Sequence, residues 1–289
     1  MPLNSVNTNI GAMVALQSLN RTNDEMSVTQ KRISTGQRVA DAKDDGAAFA
    51  VAQKVRGDIA GVTSANEQLG AAKGLLDTTL GGLNKISSTL ATVKGVVDKL
   101  ADDNVKGEDR TNYEKQYTKL RQQISQYVND SSYNGASPLG KSNNTDVDGG
   151  TGGVSAASVN VVRNEKADTY AITSQTNADF DLTAATGSQT ASDWKAMLTS
   201  TTTGDFGKVE KTVNAALNRY GNDSKAVDAQ ISFNKDRVDA MESGIGALVD
   251  ADLAKESAKM QALQIRQQLG TQSLSIANQA PQSLLSLFR

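Results

Sequence analysis

Asp41, Lys43, Asp44 and Asp45 crowd into the stretch RVADAKDDGAAF, and Asp250 and Asp252 form a second acidic cluster in VDADLAKES. Carboxylates so placed could share acid–base work on a glycosidic bond, hold a hard cation such as Ca²⁺, or cap a helix at its positive end. Glycosidase chemistry needs a concave site with aromatics facing the substrate, and only 4% of the residues are aromatic. A Ca²⁺ loop needs the D-x-D-x-D-G spacing with a distal Glu, which neither cluster follows. Capping fits better, because Asp44 and Asp45 immediately precede Gly46 and a new apolar period.

Other chemistries are narrowed by what the chain lacks. With 0 histidines and 0 cysteines there is no imidazole base or metal ligand, no thiolate nucleophile and no disulfide. VDGGTGGVS (147–155) is glycine-rich but lacks the Lys-Ser/Thr that completes a phosphate loop, so it reads as linker. The net charge of −2 comes without a basic patch, which argues against nucleic acid. No cofactor and no catalytic residue is expected. MPLNSVNTNI has neither the basic nor the apolar region of a cleaved signal, and no run approaches the ~20 apolar residues of a membrane span. Export by a route without a cleaved signal is the expectation.

The elements that must position these residues are long helices. Ala12, Ala15, Leu19, Thr22, Met26, Thr29 and Ile33 recur at alternating spacings of three and four, the stripe of a weak heptad seam. A second helical stretch covers about 47–100. A third runs from about 109 to 128 with Tyr113, Tyr117, Leu120, Ile124 and Tyr127 or Val128 on one face, and Gly107 separates the two. SSYNGASPLG (131–140) is dense in turn signals. From about 141 to 204 the chain turns to Ser, Thr, Asn and Gly and reads as loop and strand. Within it VNVV (159–162) and TYAIT (169–173), joined by RNEKAD, alternate as a β-hairpin does.

Helical spacing resumes near Phe206 with Val227, Ile231, Val238, Met241, Ile245 and Leu248, and after VDADLAKES it continues to Leu269 or beyond. With so few aromatics, burial is expected from Ala, Leu, Ile and Val along extended seams. The expected fold is mainly α: long antiparallel helices in a coiled-coil bundle, both termini at one end, with a small hairpin- and loop-rich insert. A helix of 35 residues would run about 50 Å. The terminal stripes are too thin to fold alone and need partners, either within the chain or from other subunits.

NSVNTNIGAMVALQSLN, ISTGQRVADAKDDGAAFAVA, ALVDADLAKES and QQLGTQSLSIANQAPQSLLSLFR together resemble bacterial flagellin, over roughly the first 140 and last 80 residues. The short, low-aromatic form is similar to flagellins of alphaproteobacteria. The insert carries no resemblance of its own. The resemblance implies an inner coiled coil of 1–35 with 253–289, an outer helical bundle of 36–138 with 205–252, and a variable insert, 139–204, facing solvent. Gly36, Asp41, Lys43, Asp44 and Asp45, with Asp250 and Asp252, would form two spokes between the inner and outer shells. Leu19, Met26, Ile33, Leu263, Leu269 and the terminal cluster Leu284, Leu285, Leu287 and Phe288 would serve polymerisation. Removing 283–289 would then leave a soluble monomer.

The implied function is that of a structural, non-enzymatic subunit of the flagellar filament, secreted unfolded through the flagellar type III apparatus and assembled at the tip. Its partners would be itself and other flagellins, the cap and hook-associated proteins, and an export chaperone. No nucleic acid or membrane insertion is implied. The segment aligned with the stretch read by the vertebrate innate flagellin receptor has Thr92, Val93, Lys94, Gly95 and Val96 where the recognised pattern is Arg-Val-Arg-Glu-Leu. Loss of the first Arg and the Glu removes charge-assisted bonds, so weak or no recognition is expected. The rival readings are a hook–filament junction protein and a flagellin-like surface adhesin whose insert, with Trp194, contacts a ligand.

Overall fold

The computed structural model describes residues 8–140, 158–175, 180–200, 202 and 204–287, without the side chains of 280–287. Helix α1 (Ile10–Thr35) starts where the Asn9 side chain accepts the Ala12 N–H at 3.0 Å. It stops at Gly36, whose φ of 70° is the left-handed turn that a residue without Cβ adopts cheaply. Helices α2 (Gly46–Leu100) and α3 (Gly107–Asp130) follow, with Gly107 at φ 62° opening α3. Strands β1 (Val159–Val162) and β2 (Thr169–Ile172) pair antiparallel with Val159 opposite Ile172, the hairpin read from the alternation. Helices α4 (Ala191–Thr199), α5 (Phe206–Val249) and α6 (Leu253–Leu287) complete the described elements.

The chain divides into two compact units. One comprises 1–57 with 239–289, the other 58–238. In the first, α1 and α6 pack antiparallel: Asn9 Nδ2 donates to the Ala277 carbonyl at 2.7 Å, Gln267 Nε2 to Asn23 Oδ1 at 2.9 Å, and Arg32 meets Glu256 at 3.2 Å. Residue numbers rise along one helix as they fall along its partner. A small apolar cluster of Val39, Ala48, Ala52 and Val249, flanked by Phe49, Ile245 and Leu248, closes the same unit.

The second unit holds the main core, which runs along α2 from Leu69 to Leu100 and along α5 from Phe206 to Val227. Tyr117, Ile124 and Val128 of α3 enter it, as the stripe predicts. The composition misleads in one respect. Aromatics are scarce, yet Trp194, Tyr117, Tyr220, Phe180 and Phe206 are the largest fully buried side chains, concentrated in this one core. Trp194 meets Tyr117 edge to face at 4.9 Å, and the Tyr117 hydroxyl donates to the Thr183 carbonyl at 2.7 Å.

The stretch expected as loop and strand contains α4. Thr190 and Asp193 form a capping box, and Ala191, Trp194 and Met197 are buried beneath it. Described residues of the expected insert therefore supply core side chains, Val161, Ile172, Phe180 and Leu182 among them.

Candidate functional site

The stripe on α1 becomes a seam. Ala12, Ala15, Leu19, Thr22, Met26 and Ile33 are half-buried and Thr29 fully buried, while most of their helical neighbours are exposed. Across from them Glu256, Met260, Leu263, Gln267, Gly270, Leu274 and Ala277 repeat the same three-and-four step on α6 and are the half-buried or buried positions there. Small residues set the spacing: a Cβ on Gly270 would meet Leu19 Cδ1 at 3.2 Å.

The seam hides little. Among the described side chains of the pair only Thr29 and Leu263 are fully buried, whereas Ile10, Met13, Val14, Leu16, Val28, Leu253, Ile265, Leu269 and Ile276 are 42–66% exposed. Being already about half covered, each such side chain would gain roughly half of the ~1.5–3 kcal/mol of a full burial. An open groove of about 690 Å³ lined by Val14, Ala15, Leu269 and Gly270, with Arg21 and Arg266 at hand, runs along the pair. Leu263 thus lies within the intrachain seam and Leu269 outside it. Leu284, Leu285, Leu287 and Phe288 lie outside the described side chains.

The two acidic segments meet through their backbones. Ala251 N–H donates to the Gly36 carbonyl at 2.9 Å, Arg38 N–H to the Val249 carbonyl at 2.7 Å, and Gln37 and Asp250 form an isolated antiparallel bridge. The carboxylates of Asp41, Asp44, Asp45 and Asp252 are occupied locally. Asp45 Oδ1 accepts the N–H groups of Ala47 and Ala48 at 3.1 and 3.0 Å and caps α2; Asp252 Oδ1 accepts those of Ala254 and Lys255 at 3.0 and 3.1 Å and caps α6.

Asp41 and Asp44 share one cation, Lys31, at 2.6 and 3.1 Å, while Asp44 Oδ2 also accepts the Ala40 and Asp41 N–H groups. The hydrogen bond from Lys31 holds both carboxyls below their ordinary range, and the two carboxylates raise Lys31. Sequence reasoning singled out Lys43, which enters through its backbone N–H, bonded to Asp41 Oδ1 at 2.8 Å. Lys31 was missed: it lies in α1, ten residues before Asp41 in sequence, and only the turn at Gly36 brings the two together.

In the second unit Val93 and Val96 belong to the core, and Thr92, Lys94 and Gly95 are exposed on α2. Among the described residues no helix is long and apolar enough to cross a membrane.

Family comparison decides what this arrangement belongs to. The bacterial flagellin N-terminal helical region matches residues 6–144 and the C-terminal helical region residues 193–288. The chain belongs to the bacterial flagellin family. Flagellin FljK of Caulobacter vibrioides is 34% identical with both chains covered fully. A flagellin of Brucella melitensis is 33% identical over 99% of each chain, and flagellin C of Rhizobium meliloti 29% identical over 99% of this chain and 100% of its own. These relatives come from alphaproteobacteria, in keeping with the short flagellin form. The family match takes in both terminal helices and both acidic segments; between 144 and 193 it is silent, and there the hairpin and the start of α4 lie.

Proposed function

We propose that this flagellin polymerises into the bacterial flagellar filament, the extracellular helical propeller of swimming, through the apolar face that α1 and α6 leave open. Flagellin-family membership makes it a structural filament subunit; the open face is the observation that supports this route of assembly. Stacking of copies through it would remove Met13, Val14, Leu16, Ile265, Leu269 and Ile276 from water, which supplies the driving force. The chain carries out no reaction. Asp45 and Asp252 serve as helix caps and Asp41 and Asp44 as partners of Lys31, and Gly36 with the Asp41–Asp45 and Asp250–Asp252 segments acts as the pair of spokes between the inner coiled coil (1–35 and 253–289) and the outer bundle (36–138 and 205–252).

Export proceeds unfolded through the flagellar type III apparatus, and folding at the tip is completed as the terminal helices gain partners. A chain with 0 cysteines needs no oxidative step on that route. The partners are further copies and other flagellins, the cap and hook-associated proteins, and an export chaperone. Recognition by the innate flagellin receptor is weak, because Thr92 and Gly95 stand where that receptor reads Arg and Glu.

Ile265→Asp with Leu269→Asp tests the assembly surface. Both sites are 58% exposed in the subunit, so the monomer should fold unchanged by circular dichroism. Buried in a polymer, the two charges should raise the critical concentration for seeded growth about 100-fold or more. An unchanged critical concentration would show that this face is not the interface.

A further inference from the structure

Asn234 of α5 is fully buried, the one side-chain amide among the described buried polar groups. Both its donors and its acceptor oxygen are engaged, across three elements. Nδ2 donates to Asn66 Oδ1 of α2 at 2.8 Å and to the Arg163 carbonyl at the end of β1 at 3.0 Å, while Oδ1 accepts from Gln230 Nε2 at 2.9 Å. Two residues further along the hairpin turn, Glu165 takes both terminal nitrogens of Arg237, Nη1 at 2.6 Å. On the α2 side the turn is seated so closely that a Cβ on Gly61 would come within 3.0 Å of Glu165 Cβ.

This polar cluster lies where the apolar contacts thin out. The main core stops at Leu69 on α2 and at Val227 on α5, with Ile231 only partly buried against it; Val62 and Ala65 are buried but belong to neither apolar cluster. Small side chains specify alignment poorly, since a helix with a shallow seam can slide by a turn and lose few contacts. A buried, hydrogen-bonded Asn is satisfied in one alignment alone, because any slip leaves its amide unpaired in the interior.

We propose that the Asn234–Asn66–Arg163 cluster, clamped by Glu165 and Arg237, fixes the register of α5 against α2, with the β-hairpin turn acting as its clasp. The device belongs to the folded subunit and holds whether or not it polymerises. At neutral pH the clamp is fully charged: Arg237 holds the Glu165 carboxyl below its ordinary range.

The cysteine-free chain allows a direct test. Spin labels at Ser64→Cys and Lys235→Cys, both exposed and both in this unit, report the α2–α5 alignment as a distance. In Asn66→Leu with Asn234→Leu, helix content and the buried emission of Trp194 should persist while the single distance broadens or splits by about one helical turn, ~5 Å. A folded double variant with the parent's single distance would overturn the proposal. Should that variant not fold, Arg237→Met decides, since the site lies outside the apolar core. Amide exchange over 163–168 should rise about tenfold with the rest of the unit unchanged, and unaltered exchange would overturn the clasp.

Discussion

Ala251 donates its backbone N–H to the Gly36 carbonyl at 2.9 Å, and this bond ties the end of α1 to the start of α6. The geometry depends on Gly36 having φ 70°, with no atom within 4 Å of a would-be Cβ. Gly36→Ala therefore meets backbone strain and no clash, a cost of about 1–2 kcal/mol. Filaments of this variant should dissociate at a lower temperature than the parent in a heating series followed by light scattering.

The caps offer a matched pair. Asp45→Ala and Asp252→Ala each remove a side chain that satisfies two backbone donors, at a cost of about 1 kcal/mol apiece. Asn should restore most of either loss, because it caps without the charge. Thermal dissociation of the filaments measures both, and an Asn variant no better than Ala would show that charge, not capping, is the role.

Lys31 with Asp41 and Asp44 predicts a dependence on pH. Both folded carboxyl pKa values lie below the ordinary 3.8, so the stabilisation is complete above that value and is lost as pH falls through the folded values. Lys31 is raised above 10.5, so its share is present below that pH and disappears as pH climbs through the raised value. Lys31→Met should reduce filament stability between these limits, and the gap to the parent should close under strong acid and strong base. Being exposed, the ion pairs should also weaken with salt.

Trp194 reports on the second unit. Its indole is 1% exposed, so the intact protein should show a blue-shifted emission that moves red on unfolding. Trp194→Ala removes the edge-to-face contact with Tyr117 and leaves a cavity, costing about 3–5 kcal/mol. Denaturant unfolding followed by far-ultraviolet circular dichroism would measure the shift.

How much of this was legible beforehand differs by element. The α1 stripe from Ala12 to Ile33 was visible because a helix seam repeats its own spacing, and the structure turns that same set toward α6, half-buried except for the fully buried Thr29. The β1–β2 hairpin was visible because period two is unmistakable over four residues. Helix α4 was missed: nine residues among Ser and Thr carry little periodicity, and its signals were the Thr190–Asp193 box and Trp194, Met197 and Leu198. Composition counts aromatics without saying where they gather. The Gly36–Ala251 tie, the Asn66–Asn234 bond and the Glu165–Arg237 clamp join residues far apart in sequence, and the first uses backbone alone. No side-chain pattern announces them.

Thr92, Lys94 and Gly95 are exposed while Val93 and Val96 are buried, so the outward positions can be changed without disturbing the core. Purified monomer should stimulate the innate flagellin receptor weakly, and Thr92→Arg, Lys94→Arg and Gly95→Glu together should increase the response. Strong stimulation by the parent at low concentration would contradict the expectation.

The measurement that bears most directly on assembly is electron microscopy of heat-dissociated monomer after addition of short filament seeds, comparing the intact chain with one lacking residues 1–35. Removing α1 takes away half of the α1–α6 pair and of its open apolar face. Long filaments from the intact chain alone are the predicted result. Equal growth by the shortened chain would contradict the claim that the paired terminal helices hold the polymer together.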